Sequence, residues 1–130
     1  MERESRRPQT VTLFRPVGAI EYRLIEESGR RSFPPRLPEQ PIFYPVANEE
    51  YAVQIARDWN TKEPAGVGYV LAFDIDANFV ARLPLQQAGN HTHLEYWIPA
   101  EDLDDFNAHI VGPIRVLHEF DARRDPHKPH

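Results

Sequence analysis

Apolar residues in this chain recur in short runs, each closed by proline, glycine or a polar turn. Thr10-Val-Thr-Leu-Phe-Arg15 alternates β-branched and apolar side chains with others, a period of two that predicts a strand. Pro16 is expected to end it, because proline has no N–H for a ladder. From Gly18 to Ser28 the period changes: Ile20, Leu24 and Ile25 take helical spacing, with Tyr22 and Glu26-Glu27 on other faces. Gly29 suits the position just past that helix. Ser32 to Pro41 has no period, and its four prolines predict a stiff, extended loop. Ile42-Phe-Tyr44 reads as a short strand stopped by Pro45. Asn48 is a candidate N-cap, with Glu49 and Glu50 favoured in the first turn by the helix dipole. Tyr51, Ala52, Ile55, Ala56 and Trp59 give that helix, from about 49 to 59, one apolar face.

Val67 to Ile75 predicts a central strand. Asn78 to Leu83 predicts a short helix or turn, and polar Gln86 to Thr92, with Gly89-Asn90, a loop or hairpin turn. Leu94 to Ile98 reads as a strand ended by Pro99. Pro99-Ala-Glu-Asp opens a helix lined by Leu103, Phe106, Asn107 and Ile110 and closed by Gly112. Ile114 to Phe120 is the last predicted strand. The helices alternate too irregularly with strands for a doubly wound sheet. The expectation is an α+β domain over 10–120, with a curved, mostly antiparallel sheet and about three helices. Residues 1–9 and 121–130 are expected to be a disordered arm and a flexible tail.

Composition narrows the chemistry. The chain has 130 residues, enough for one domain, and no cysteine, which removes disulfides, thiolate metal sites and a cysteine nucleophile. No apolar run approaches the roughly 20 residues of a spanning helix. Met1 to Pro8 lacks an apolar h-region, so a cytoplasmic protein without a membrane segment is expected. The 13 prolines stand mostly at proposed strand ends and in the 34–41 loop.

The net charge of −5 makes nonspecific duplex binding a poor expectation. It hides an asymmetry, however: residues 1–36 carry 8 basic and 5 acidic side chains. Arg15, Arg30, Arg31 and Arg36 would form an anion site if the fold gathers them. Other candidates are fewer in support. His91 and His93 would share a strand face but lack an evident third metal ligand, so no metal is expected. Asp74 and Asp76 would share a face as an acid/base or cation pair. Glu95 stands between Leu94 and Tyr96 and, if turned inward, needs a polar partner. Phe43-Tyr44 ahead of a helix N-terminus would make a stacking shelf. Ser32-Phe-Pro-Pro-Arg36 would line a ligand with Arg36 as anion contact, or Pro35-Arg-Leu-Pro38 would serve as a PxxP partner motif.

Over residues 10–120 the chain is similar to a set of small bacterial proteins called ADP-ribosylation/crystallin J1. The likeness rests on Phe33-Pro-Pro-Arg36, Gln40-Pro-Ile-Phe-Tyr-Pro45, Asn48-Glu-Glu-Tyr-Ala52, Ile55-Ala-Arg-Asp-Trp-Asn60 and Trp97-Ile-Pro-Ala-Glu101. The element order, with Arg15 on the first strand, Tyr44 on a middle one and Glu95 on a late one, also resembles ADP-ribosyltransferase-like domains. That resemblance implies NAD as substrate. Arg15 would then contact its diphosphate or ribose and Tyr44 would stack on the nicotinamide. Glu95 would bind the ribose hydroxyl and stabilise an oxocarbenium-like transition state. Arg36 or Arg31 would sit near the cleft mouth. Arginine-directed members carry an acidic residue two positions before that Glu, where this chain has His93, and the acceptor stays open. The alternative is a non-catalytic interaction module on the same fold. It would present Tyr96, Trp97 and the proline-rich loop to a protein partner.

Overall fold

In the computed structural model, which describes residues 9–87 and 94–122, the chain folds around the run of apolar residues at its centre. In order, its elements are β1 (Thr10–Gly18), α1 (Ala19–Glu27), β2 (Ile42–Phe43), α2 (Glu49–Asp58), β3 (Val67–Asp76), α3 (Ala77–Val80), β4 (Leu85–Gln87), β5 (Leu94–Tyr96), β6 (Ile98–Pro99), α4 (Leu103–Ala108) and β7 (Ile110–Asp121). Single 3-10 turns occupy Asn60–Lys62 and Ala100–Asp102. β3 is flanked by β1 and β7, β2 pairs with β6, and β4 pairs with β5, every pairing antiparallel. Val46 bridges Phe14 of β1 on one side and Glu95 of β5 on the other. The expected α+β class and antiparallel pairing are thus present, with four described helices rather than about three. No helix among the described residues is long and apolar enough to cross a membrane.

β3 is apolar on both faces because both are covered. Leu71, Phe73 and Ile75 point into the larger core with Leu13, Val17, Ile25, Phe33, Phe43, Phe106 and Ile114. Val70 faces the other way, under Val46 and the Ala52 and Ala56 side chains of α2. Asn48 caps α2 as expected, its Oδ1 accepting from the Tyr51 N–H at 2.8 Å. Gly68 allows α2 its close seat: a Cβ there would lie 2.4 Å from the Ala56 carbonyl oxygen.

Proline punctuates this fold differently from the expectation. β1 runs through Pro16 to Gly18. The Phe14 N–H donates to the Val46 carbonyl (3.0 Å), away from β3, and the nitrogen of Pro16, two residues on, faces the same side. Its missing N–H therefore costs the β1–β3 ladder nothing. Likewise, Gly112 does not stop the α4 helix, which ends at Ala108, and Pro113 does not precede the last strand. Both lie inside β7, where Val111 opposes Asp74 and Arg115 opposes Ala72; Gly112 has φ +80° in this irregular stretch. β7 continues to Asp121, and the Ala122 N–H donates to Gly66. At the other end the Gln9 carbonyl accepts from Ala77. The Gly89-Asn90 turn expected between β4 and β5, like the 1–8 part of the arm and the 123–130 part of the tail, lies outside the described residues.

Candidate functional site

Residues alternate along β1, so Leu13, Arg15 and Val17 share the face that looks into the larger core. Leu13 and Val17 are buried there. Arg15 between them must meet a polar partner or carry an unpaired charge among apolar side chains. Glu21 of α1 supplies the partner. Arg15 Nε and Nη2 donate to the two Glu21 oxygens at 3.1 and 2.9 Å, a bidentate fork. Arg15 Nη1 donates to the Tyr44 carbonyl at 3.3 Å, and its guanidinium lies 4.8 Å from the Phe43 ring centre.

The proline-rich loop brings in a second arginine. Phe33 anchors its start in the core against Phe43 and Phe73, while its backbone exchanges two hydrogen bonds with the Asn107 side chain. The Pro41 carbonyl ties down its end through the Ala100 N–H (2.8 Å). Between these anchors Arg36 folds back, its Nε donating to the Gln40 carbonyl at 3.2 Å. Its side chain is only 8% exposed, and Nη1 stands 3.9 Å from Glu21 Oε1. Two guanidiniums therefore share one carboxylate, an excess of +1 over these three side chains, while Glu39, Glu63 and Glu95 also line the cleft. Burial, and then the Arg15 charge, pull the Arg36 guanidinium below its ordinary value.

Glu95 lines the same cleft. Tyr51 Oη donates to Oε1 at 3.1 Å and Trp97 Nε1 to Oε2 at 2.7 Å, so both carboxylate oxygens are held. Tyr44 and Trp97 meet edge to face at 6.0 Å, their rings 88° apart. They are 37% and 44% exposed, which leaves aromatic surface facing the opening. A cleft of about 770 Å³ runs past Arg15, Glu21, Arg36, Tyr44, Glu95 and Trp97. That volume suits a bound small molecule. Compared with protein-family models, with curated proteins and with solved structures, the chain matches none of them.

Arg15, Arg36, Tyr44 and Glu95, separated by up to eighty positions in sequence, are thus brought together. The other candidates are not. Arg30 pairs with Glu26 on α1, and Arg31 is not among the cleft residues, so only two of the four arginines converge. Phe43 is fully buried and forms the floor under Arg15 rather than half of an open shelf. Arg36 is turned inward, which takes the charge of Pro35-Arg-Leu-Pro38 away from any PxxP partner. Of the expected partner patch, Tyr96 is half-buried against the core, whereas Trp97 and, in the proline-rich loop, Pro35, Leu37 and Pro38 are exposed. Asp74 is bound by Thr12 and by both Arg115 terminal nitrogens, and Asp76 caps α3 through the Asn78 and Phe79 N–H groups. They serve structure, not an acid/base pair. His91 and His93 lie outside the described residues. Among the described residues no three His, Asp or Glu side chains gather to hold a metal.

The sequence reading did not place Glu21, Tyr51 or Trp97 beside these four. Trp97 carried a usable signal, since it stands two residues after Glu95 and an extended chain puts both on one face. Tyr51 carried none, because its apolar ring fits the α2 face whatever its hydroxyl does. Burial, with the Glu95 charge behind it, pushes the Tyr51 hydroxyl up to about 12 from its ordinary 10.0. Its contribution to stability is present below pH 10 and lost as pH rises through about 12. Ultraviolet difference titration of wild type against Tyr51→Phe is expected to remove one late-ionising tyrosine. A lost tyrosine titrating near 10 would contradict the Tyr51–Glu95 contact.

Proposed function

We propose that this chain is an ADP-ribosyltransferase-like protein that binds NAD in the cleft and transfers its ADP-ribose to an acceptor. The observation that supports the reading best is the meeting of Arg15, Arg36, Tyr44 and Glu95 on one cleft. The excess positive charge at Arg15 and Arg36 suits the diphosphate. The exposed ring faces of Tyr44 and Trp97 suit stacking on the nicotinamide. Glu95, held at both oxygens, keeps lone pairs free to accept from a ribose hydroxyl.

The reaction then divides simply. The bond between the ribose carbon and the nicotinamide nitrogen breaks, and nicotinamide leaves with the electron pair. Positive charge grows on the ribose as it does so, and the Glu95 carboxylate stabilises that charge without forming a bond. A nucleophilic atom of the acceptor, or water, bonds to the same carbon and gives up its proton. A cytoplasmic location belongs to the same proposal.

A second reading has one observation in its favour. Ile20, Leu24 and Leu37 are exposed at the cleft mouth, an apolar rim that suits a protein partner on a non-catalytic module. Thermal-shift titration with NAD separates the two. A ligand that binds only the folded chain raises the melting temperature. Wild type and Glu95→Gln are expected to shift upward with NAD, and Arg15→Ala to lose the shift. No shift of wild type at millimolar NAD would overturn the proposal and favour the binding module.

A further inference from the structure

We infer that Glu21 is a built-in competitor for the anion site. It holds the Arg15 fork while no ligand is bound, and a ligand with two linked phosphate groups takes its place. The inference rests on the proposal that Arg15 and Arg36 are the anion contacts of the cleft.

The two arginines are not used alike. Glu21 occupies the Nε and Nη2 donors of Arg15, the edge best suited to a bidentate anion. The contact from Arg36 Nη1 to Glu21 Oε1, at 3.9 Å, is longer than a hydrogen bond. Among the described residues Arg36 hydrogen-bonds only to Gln40, through Nε and Nη2, so Nη1, on a side chain 8% exposed that lines the cleft, has no hydrogen-bond partner there. A single anionic group entering the cleft finds the better fork filled. A diphosphate can hold Arg36 Nη1 with one phosphate while the other competes for the Arg15 fork.

The exchange is feasible on both sides. Glu21 lies in the first turn of α1 and its side chain is 20% exposed, so its carboxylate can swing out and be rehydrated. Arg15 keeps its direction when Glu21 leaves, because the Tyr44 carbonyl and the Phe43 ring still hold it. Removing the Glu21 charge therefore raises the excess over these three side chains from +1 to +2 without freeing the guanidinium. If Glu21 served only to orient Arg15, the same change would weaken anion binding instead.

Calorimetric titration with inorganic pyrophosphate tests this on wild type, Glu21→Gln and Glu21→Gln combined with Arg36→Ala. Gln keeps the size of Glu and a hydrogen-bonding end. Glu21→Gln is expected to bind pyrophosphate about tenfold more tightly than wild type, with a steeper loss on adding salt. The double variant is expected to lose that gain. A gain in affinity cannot come from a variant that fails to fold. Unchanged or weaker binding by Glu21→Gln, or no binding by any of the three, would overturn the inference. The same titrations with NAD keep the two proposals apart. A pyrophosphate gain without NAD binding leaves Glu21 as competitor and removes NAD, whereas NAD binding weakened by Glu21→Gln does the reverse.

Discussion

Glu95→Gln is expected to lower the rate of NAD cleavage by about 10²–10³-fold, the usual loss when one preorganised electrostatic contact to a transition state is removed. On the proposed reaction NAD affinity is expected to change little, because the glutamine carbonyl can still accept from the ribose hydroxyl and the lost charge matters only as nicotinamide leaves. The variant should also fold. Glutamine has the same length, its carbonyl can accept from Trp97 Nε1, and the Tyr51 hydroxyl can turn to accept from the amide. Single-turnover release of nicotinamide, measured beside NAD binding, reads the two effects separately. Equal rates for wild type and Glu95→Gln would remove Glu95 from the reaction. A loss of binding as large as the loss of rate would make it a ground-state contact instead.

Gly68→Ala is expected to be the most damaging single-methyl change in the fold. The new Cβ would lie 2.4 Å from the Ala56 carbonyl oxygen and 2.9 Å from Asn60 Cβ. The first of these is backbone, so no rotamer change relieves it. Either α2 lifts from β3 or β3 bends, and overpacking of this kind costs about 1–3 kcal/mol. Gly112 makes the contrast: its φ is +80°, yet nothing lies within 4 Å of its would-be Cβ. The Gly68 effect also reaches the cleft, because α2 carries Tyr51, one of the two donors that hold Glu95. Chemical denaturation of Gly68→Ala and Gly112→Ala should show a clash at the first and backbone strain alone at the second. Full stability of Gly68→Ala would mean that α2 does not sit on β3 as described.

Local signals made the elements legible. Asn48 ahead of two acids marked the start of α2, and the apolar density of Val67 to Ile75 marked the strand that ends up covered on both sides. Glu95 was legible as a candidate because it interrupts a strand with a charge that burial must answer, and Arg15 because it belongs to a basic stretch of an otherwise acidic chain and matches the first-strand position of the resemblance. What answers each charge was not legible. The approach of Arg36 to the Glu21 carboxylate that Arg15 holds depends on where a ten-residue loop is pinned, and Asn107 and Ala100, some seventy and sixty residues away, do the pinning. Pro16 was misread for a related reason. A proline ends a strand only if its nitrogen faces the partner, and that side is decided by the Phe14–Val46 bridge.

The two tryptophans offer the most direct test of the central claim, that NAD lies between the Arg15–Arg36 pair and Glu95. Trp97 stands in the cleft with its indole N–H on Glu95, whereas Trp59 is 68% exposed, is not among the cleft residues and lies beside Lys62. Their indole N–H signals in a ¹⁵N-labelled sample can be assigned by Trp59→Phe. On titration with NAD the Trp97 signal is expected to move saturably while the Trp59 signal stays in place. A Trp97 signal that does not move at millimolar NAD, or movement confined to Trp59, would contradict the account.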